Sequence, residues 1–128
     1  MRCLDTSFLI DFVRGEGAAV RKVREFTDEG ERIAAPAVVV AELLVRAHYR
    51  GGRELSRTLE LLEILEVLPF DSSVAEEAGR MGAESLRRGS PLLGVDLLIA
   101  ASARFHRGIL ISRDAIFSGV PGLAIENY

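Results

Sequence analysis

The segment Ile109-Leu110-Ile111, with Ser112-Arg113-Asp114 after it, decides the fold class of this chain. An uninterrupted apolar run of this kind is typical of a central strand in a parallel sheet, where helices cover both faces. The preceding segment, Leu97–Phe105, is apolar nearly all round and predicts a buried helix that begins at or just before Asp96. A buried helix that leads into a buried strand indicates an α/β protein.

Short apolar runs alternate with longer amphipathic runs along the rest of the chain, which predicts a parallel sheet with helices on both faces. Pro69 lies inside the third apolar run and favours an edge strand or a strand terminus there. Residues 1–128 are therefore expected to form a single α/β domain with four to five parallel strands. Strands are predicted at Arg2–Asp5, Ile33–Ala35, Glu66–Phe70, Ile109–Ile111 and Leu123–Ile125. Helices are predicted from Thr6, from after Gly17 to near Gly30, from Ala37 to Tyr49, over Leu55–Leu65, from Asp71–Ser73 to Gly89, and over Leu97–Phe105.

The composition excludes several classes of protein. The 128 residues carry 16 Lys and Arg against 19 Asp and Glu, a net charge of −3, which argues against a simple polybasic nucleic-acid binder. The single Cys3 cannot form an internal disulfide and favours a reducing compartment. The N-terminus lacks the basic start and apolar run of a signal peptide, and no apolar stretch approaches the roughly 20 residues of a membrane span. We therefore expect a soluble, cytoplasmic protein.

Four acidic residues fall at suggestive positions in these predicted elements. Asp5 closes the first strand, Asp96 opens the buried helix, and Asp114 follows the central strand. Ligands of open α/β sheets bind outside the carboxyl ends of the strands, so Asp5 and Asp114 are expected at the functional edge. Glu42 is the only charged residue between Ala37 and Val45, and burial of a lone carboxylate there costs several kcal/mol unless a cation compensates for it.

Each of these acids also has a simpler explanation as a helix cap or a turn residue. Together, however, carboxylates that converge on one cleft repel one another strongly, and a divalent cation is the usual solution. Oxygen ligands without His or Cys favour Mg²⁺ or Mn²⁺. Such a site bridges phosphate oxygens and activates water, which predicts phosphodiester hydrolysis.

Other catalytic motifs are absent from the sequence. The chain has no Gly-Lys pair for a phosphate-binding loop, and His48, His106 and Cys3 lack the spacing of a zinc site. A phospho-acceptor signalling domain also carries acids at strand ends, but it needs a Lys near its last strands, and the only Lys is Lys22. The nuclease interpretation is therefore favoured over a signalling domain.

Four motifs follow one another along essentially the whole chain. They are Leu4-Asp5-Thr6-Ser7, then Ala41-Glu42-Leu43, then Asp96-Leu97-Leu98-Ile99-Ala100-Ala101, and finally Ile111-Ser112-Arg113-Asp114 followed by Val120-Pro121-Gly122-Leu123. In this order and at this spacing the sequence resembles PIN-domain ribonucleases, particularly the VapC-like toxins of prokaryotic toxin–antitoxin pairs.

The resemblance implies a three-layer α/β/α fold and a Mg²⁺- or Mn²⁺-dependent endoribonuclease that cleaves structured cellular RNA. It also implies homodimers, and a small VapB-like antitoxin whose C-terminal segment wraps the toxin and fills its pocket. The catalytic and metal-binding pocket that it implies consists of Asp5, Glu42, Asp96 and Asp114, with Thr6 and Ser112 as supporting hydroxyls.

Two positions depart from the pattern of the family. Many relatives carry a further acid where this chain has Ile116, so the fourth acidic position rests on Asp114 alone. Ser112 replaces a threonine that is often found there and keeps the hydroxyl. Two alternatives therefore stay open: a PIN-fold RNA-binding module with impaired catalysis, and a housekeeping PIN nuclease without an antitoxin.

Two further surfaces are predicted from the sequence. The 16 basic residues are 15 Arg and one Lys, and the planar guanidinium suits phosphate, so Arg14 and Arg113 are expected to contact RNA beside the acidic cleft. The helices predicted at Ala37–Tyr49 and Leu55–Leu65 form a hairpin. Its apolar side chains either pack into the core or form a groove for a partner helix. Its apolar side chains are Leu43, Leu44, Tyr49, Leu55, Leu59 and Leu62.

Overall fold

A parallel sheet of five strands forms the centre of the computed structural model, which describes residues Met1–Tyr128. The strands are β1 (Arg2–Leu4), β2 (Ile33–Pro36), β3 (Glu66–Leu68), β4 (Ile109–Ile111) and β5 (Ala124–Glu126). The helices are α1 (Thr6–Arg14), α2 (Gly17–Asp28), α3 (Ala37–Arg50), α4 (Gly52–Ile64), α5 (Ser72–Arg87) and α6 (Gly94–Phe105), and a 3₁₀ turn spans Ala115–Phe117. The strand order is β3-β2-β1-β4-β5, and all neighbouring strands run parallel.

Helices cover both faces of β1 and β4, two interior strands of the sheet. Successive side chains of a strand point to opposite faces, and Cys3 and Leu4 of β1 are at most 1% exposed. Leu110 and Ile111 of β4 are likewise fully buried. The predicted α/β class, with helices flanking a parallel sheet of up to five strands, is therefore confirmed. No helix of the structure combines the length and the apolar character that crossing a membrane requires.

Several predicted element ends shift by one to three residues. β1 ends at Leu4 because Asp5 leaves the strand and caps α1, accepting a hydrogen bond from the Phe8 backbone N–H at 2.8 Å. β3 ends at Leu68, so Pro69 lies just outside it, and the expected edge position of this strand is confirmed. β5 begins and ends one residue later than predicted.

The helix α6 begins at Gly94, so Asp96 lies inside its first turn rather than at its cap. Five consecutive residues, Ile99–Ala103, are buried, which places every side of the helix against protein over that length. Phe105 is nevertheless 41% exposed at the far end. The helix is thus buried all round only in its middle, because its two ends reach the surface.

Cys3 lies in the middle of the sheet and is completely buried. Burial, together with the negative charge of the nearby Asp5, raises the pKa of the thiol to about 12. The side chain is therefore a neutral thiol at any physiological pH and acts as a small apolar core residue.

A half-buried ion pair joins α5 to α6. Arg104 donates from Nε to Oε1 of Glu77, and Arg80 donates from Nη2 to Oε2 of the same carboxylate at 3.0 Å. Burial opposes ionisation of Glu77, but the two guanidiniums outweigh burial and lower the pKa of this carboxyl. A carboxyl with a lowered pKa stabilises the folded state above its unfolded pKa.

We expect Glu77→Gln to lower the free energy of unfolding at pH 7 by about 1–2 kcal/mol, the contribution of charge-assisted hydrogen bonds at a half-buried position. The difference between variant and parent should shrink as pH falls below about 4.3, where Glu77 becomes protonated in the unfolded chain and then in the folded protein. Urea unfolding between pH 7 and pH 3 measures this. A difference that stays constant over that range would contradict the assignment.

Candidate active site

Four carboxylates from separate parts of the chain line one open cavity of about 200 Å³. They come from the end of β1, from α3, from the first turn of α6 and from the segment after β4. The cavity is lined by Asp5, Thr6, Ser7, Glu42, Asp96, Ile99, Asp114 and Phe117. The structure thus brings together the four acids that the sequence singled out, and no basic side chain lies among them.

Asp5 is the deepest of these acids, with 3% of the residue exposed. Its Oδ1 accepts the Phe8 backbone N–H at 2.8 Å, and its own backbone N–H donates to the Ile111 carbonyl at 3.4 Å. Burial raises the pKa of Asp5, hydrogen bonds from Ser112 and Phe8 oppose that rise, and the charge of Asp114 adds to it. The carboxylate is therefore held rigidly where its charge is costly.

Glu42 corrects an expectation, because it is exposed rather than buried. The buried face of α3 carries Val39, Leu43 and Ala47, and Glu42 turns away from that face toward the cavity. Thr6 Oγ1 donates a hydrogen bond to Glu42 Oε1 at 2.6 Å. The only charged residue in an apolar stretch is thus explained by the cavity that it faces, without the cost of full burial.

Asp96 and Asp114 complete the wall of the cavity. Burial raises the pKa of Asp96, and the negative charges of Asp114 and Glu42 raise it further. Asp114 is exposed, and its Oδ1 accepts the Ile116 backbone N–H at 3.0 Å at the start of the 3₁₀ turn. Each of the two carboxylates therefore lies within electrostatic reach of the other acids.

Two serines lie near the cavity, and Ser112, one of the predicted supporting hydroxyls, hydrogen-bonds to the Asp5 carboxyl. Ser112 is completely buried and lies beneath the cavity, where its Oγ accepts the Asp114 backbone N–H at 3.0 Å. Ser7, which was not among the predicted site residues, also lies on the cavity wall. The only sequence signal for Ser7 is its position next to Thr6 at the start of α1.

The donor set of the cavity suits a hard divalent cation. It contains only carboxylate and hydroxyl oxygens, and no basic side chain lines it. No three of these side chains stand in position to share one ion in this structure. Asp5, Glu42 and Asp114 instead accept separate hydrogen bonds from Phe8, Thr6 and Ile116.

Neither predicted RNA-contacting arginine lines the acidic cavity. Arg14 is exposed at the end of α1 and borders a separate cavity of about 230 Å³ with Arg53 and Arg57. Arg113 is bound by its Nη1 to Oδ2 of Asp11 at 2.9 Å. Arg113 is therefore committed to an ion pair, and Arg14 stays without a carboxylate partner.

The apolar residues that were predicted to form a groove on the α3–α4 hairpin do not line a common groove. Leu43 is 2% exposed and belongs to the core, whereas Tyr49 is 92% exposed and packs into no groove. An open cavity of about 370 Å³ instead lies between α1 and α4. It is lined by Phe12, Val13, Gly15, Arg57, Glu60, Leu61 and Ile64.

Comparisons with known proteins agree with this geometry. Residues 2–123 match the sequence model of the PIN domain family. Ribonuclease VapC19 of Mycobacterium tuberculosis is 33% identical over 94% of this chain and 90% of its own length. The tRNA(fMet)-specific endonuclease VapC of Salmonella typhimurium is 27% identical over 98% of this chain and 96% of its own. The crystal structure of DNA-bound VapBC from Salmonella typhimurium superposes with a TM-score of 0.80 at 27% identity, covering 99% of this chain and 98% of that one.

Asp114→Asn keeps the side-chain oxygen that caps the 3₁₀ turn and removes one negative charge from the cavity. Since that charge raises the pKa of both Asp5 and Asp96, we expect the melting temperature in chelator to rise by about 2–4 °C. The further rise caused by Mn²⁺ should shrink to less than half. Differential scanning fluorimetry measures both effects, with Asp71→Asn, at the cap of α5, as the matched control. A lower melting temperature with an undiminished Mn²⁺ response would contradict this account.

Proposed function

The chain belongs to the PIN domain family and is a VapC-like member of it, and on this premise we propose that it is a Mg²⁺- or Mn²⁺-dependent endoribonuclease, the toxin of a toxin–antitoxin pair. The observation that carries the proposal is the single cavity lined by Asp5, Glu42, Asp96 and Asp114. Similar proteins are named as ribonucleases, which supports RNA as the substrate class.

The four carboxylates are the groups that would hold the metal ion. A divalent cation bound there supplies Lewis acidity to a phosphate oxygen and lowers the pKa of a coordinated water. Asp5 is fixed by the Phe8 N–H, and Thr6 orients Glu42 through its hydroxyl, so both carboxylates keep their places before substrate arrives. Ser7 offers a hydroxyl donor to a phosphate oxygen, and Asp114 at the rim accepts a hydrogen bond from the attacking water.

Catalysis is favoured over a module that only binds RNA, because Asp114 reaches the cavity without help from position 116. Ile116 itself is 44% exposed and does not line the cavity. A housekeeping nuclease without an antitoxin would use the same residues. The adjacent open reading frame separates the two roles, since a toxin is expected to follow a small gene for a DNA-binding antitoxin.

Asp5→Asn and Asp96→Asn should each slow metal-dependent RNA cleavage at least about a hundredfold, because even the partners of metal ligands contribute 10–100-fold. A fluorescent tRNA cleaved at several Mg²⁺ and Mn²⁺ concentrations provides the measurement. Asp71→Asn, at a helix cap outside the cavity, should cleave like the parent. Parent-like cleavage by both pocket variants would refute the site, and a parent that binds RNA but never cleaves it would favour the binding module.

Structured RNA such as tRNA is the proposed substrate, in the cytoplasm. Arg14 is the proposed RNA contact, because it is unpaired and lies beside Arg53 and Arg57 at the end of the helix that begins with Thr6. Arg14 lies eight positions after Thr6, about 12 Å along the helix axis, so the cleft that Arg14, Arg53 and Arg57 border lies within a few nucleotides of the scissile bond. The ion pair with Asp11 argues against direct RNA contact by Arg113.

Two protein partners complete the proposal. The apolar cavity between α1 and α4 is the proposed seat of a helix of the antitoxin, since Ile64 on its wall is 83% exposed. A second copy of the chain is the proposed partner of the exposed apolar residues Leu86, Leu93 and Val95, which lie where α5 meets α6.

Ile64→Glu should prevent the chain from co-purifying with the small protein encoded beside it, because a carboxylate would be buried against apolar side chains. Size-exclusion chromatography with light scattering of the co-expressed pair measures the complex. Val45→Glu, at a residue that is 72% exposed and does not line the cavity, is the matched control. An intact complex with Ile64→Glu would move the antitoxin to another surface.

A further inference from the structure

Asp11 is a buried carboxylate that the proposed reaction does not use. It lies on α1, and only 6% of the residue is exposed. Among acidic residues only Asp5 is also buried, and Asp5 belongs to the acidic cavity. A buried carboxylate is destabilising unless hydrogen bonds and opposite charge compensate for it. The groups that compensate for the charge of Asp11 therefore indicate which parts of the chain it holds together.

Two partners from the far end of the chain meet one oxygen of Asp11. Tyr128 donates its hydroxyl to Oδ2 at 2.7 Å, and Nη1 of Arg113 lies 2.9 Å from the same atom. Burial and the charge of Asp11 raise the pKa of the Tyr128 hydroxyl, which therefore remains a donor. The ring of Tyr128 packs edge-on against Phe8 at 4.7 Å, and the Arg113 guanidinium lies 5.8 Å from the centre of that ring.

These contacts hold the segment 112–114 from its outer side. Arg113 points outward to Asp11 and Tyr128, whereas its neighbour Ser112 points inward and accepts the backbone N–H of Asp114. The Ser112 backbone N–H in turn donates to the carbonyl of Glu126 in β5 at 3.1 Å. The backbone that carries Asp114 is thereby fixed on both sides.

This fixation opposes the electrostatic repulsion between the carboxylates of the acidic cavity. Asp114 lines one cavity with Asp5, Glu42 and Asp96, and no basic side chain lies among them, so Asp114 is repelled by the like charges beside it. Asp114 is followed by a short 3₁₀ turn in which Ala115 and Ile116 are exposed and only Phe117 reaches the core, and no strand holds Asp114 itself. Without an anchor, repulsion would displace the segment 112–114 from the cavity, whereas Asp5 is deeply buried and would stay in place.

We propose that Asp11 is a positioning residue of the active site, which with Tyr128 and Arg113 clamps the segment 112–114 and keeps Asp114 beside the other three carboxylates. Asp11 acts through Arg113 and touches neither substrate nor metal ion. Only the expected effect of the clamp on RNA cleavage rests on the proposed function. Its effect on divalent-cation affinity follows from the geometry of the cavity alone.

Three variants test the clamp at increasing severity. Tyr128→Phe removes a single oxygen atom, Arg113→Met removes the cation from an exposed side chain, and Asp11→Asn removes the buried charge. Glu77→Gln breaks the half-buried ion pair of α5 and α6 away from the cavity and is the matched control. Tyr128→Phe keeps the ring against Phe8 and remains informative even where Asp11→Asn folds poorly.

Mn²⁺ binding by calorimetry is the first measurement. The dissociation constant for Mn²⁺ alone should rise about tenfold in Arg113→Met and Asp11→Asn, the lower end of the effect of partners of metal ligands, and less in Tyr128→Phe. The dissociation constant of the double variant Asp11→Asn/Arg113→Met should match that of the more affected single variant, because both substitutions disrupt the same clamp. Glu77→Gln should lower the melting temperature and leave Mn²⁺ affinity unchanged.

Hydrogen exchange and kinetics provide the second and third measurements. Backbone amides of residues 114–118 should exchange faster in the clamp variants than in the parent and the control. With RNA as substrate, kcat should fall about tenfold while KM stays within about twofold.

Three results would overturn the clamp. Clamp variants that lose thermal stability as Glu77→Gln does, with unchanged Mn²⁺ affinity, would make Asp11 purely structural. Additive effects of Asp11→Asn and Arg113→Met would separate the two residues. A raised KM in Arg113→Met alone would make Arg113 an RNA contact. A parent that binds Mn²⁺ but cleaves no RNA would instead refute the proposed function, and the Mn²⁺ series would still decide the clamp.

Discussion

Mutual repulsion among four carboxylates dominates the carboxyl edge of the sheet, and the surrounding chain is arranged to withstand it. Neutral donors hold three of these acids in place: the Phe8 N–H on Asp5, the Thr6 hydroxyl on Glu42 and the Ile116 N–H on Asp114. No guanidinium lines the cavity, so its negative charge remains for a cation to neutralise. The fold therefore stabilises each acid locally without cancelling the field that gives the cavity its chemistry.

The sequence predicted those parts of the fold that depend on local patterns. The apolar run Ile109–Ile111 marked a buried parallel strand, and Pro69 marked the edge strand, because each is a property of a few neighbouring residues. Element ends were less accurate, since one hydrogen bond decides them. Asp5 shows this, because its bond to Phe8 ends β1 one residue early.

The acids of the cavity were predictable because strand ends and helix starts of an α/β sheet meet at one edge. The environment of Glu42 was not, since the apolar character of α3 does not tell which of its sides meets the cavity. The group formed by Asp11, Arg113 and Tyr128 was also missed. Its members lie up to 117 positions apart in sequence, and only the folded chain brings them together.

The charge of the surface also differs from what the net value suggests. Seven arginines pair with carboxylates, and Arg14, Arg53 and Arg57 remain unpaired around one cleft. With the four acids of the cavity set aside, 16 basic residues face 15 acidic ones, so the net charge of −3 becomes +1. The excess of acid is thus confined to the cavity.

Cys3 carries the only thiol of the chain and is completely buried in β1. A thiol reagent can reach it only when the sheet opens, so the rate of labelling at this one atom reports how often the central strands separate in otherwise native protein.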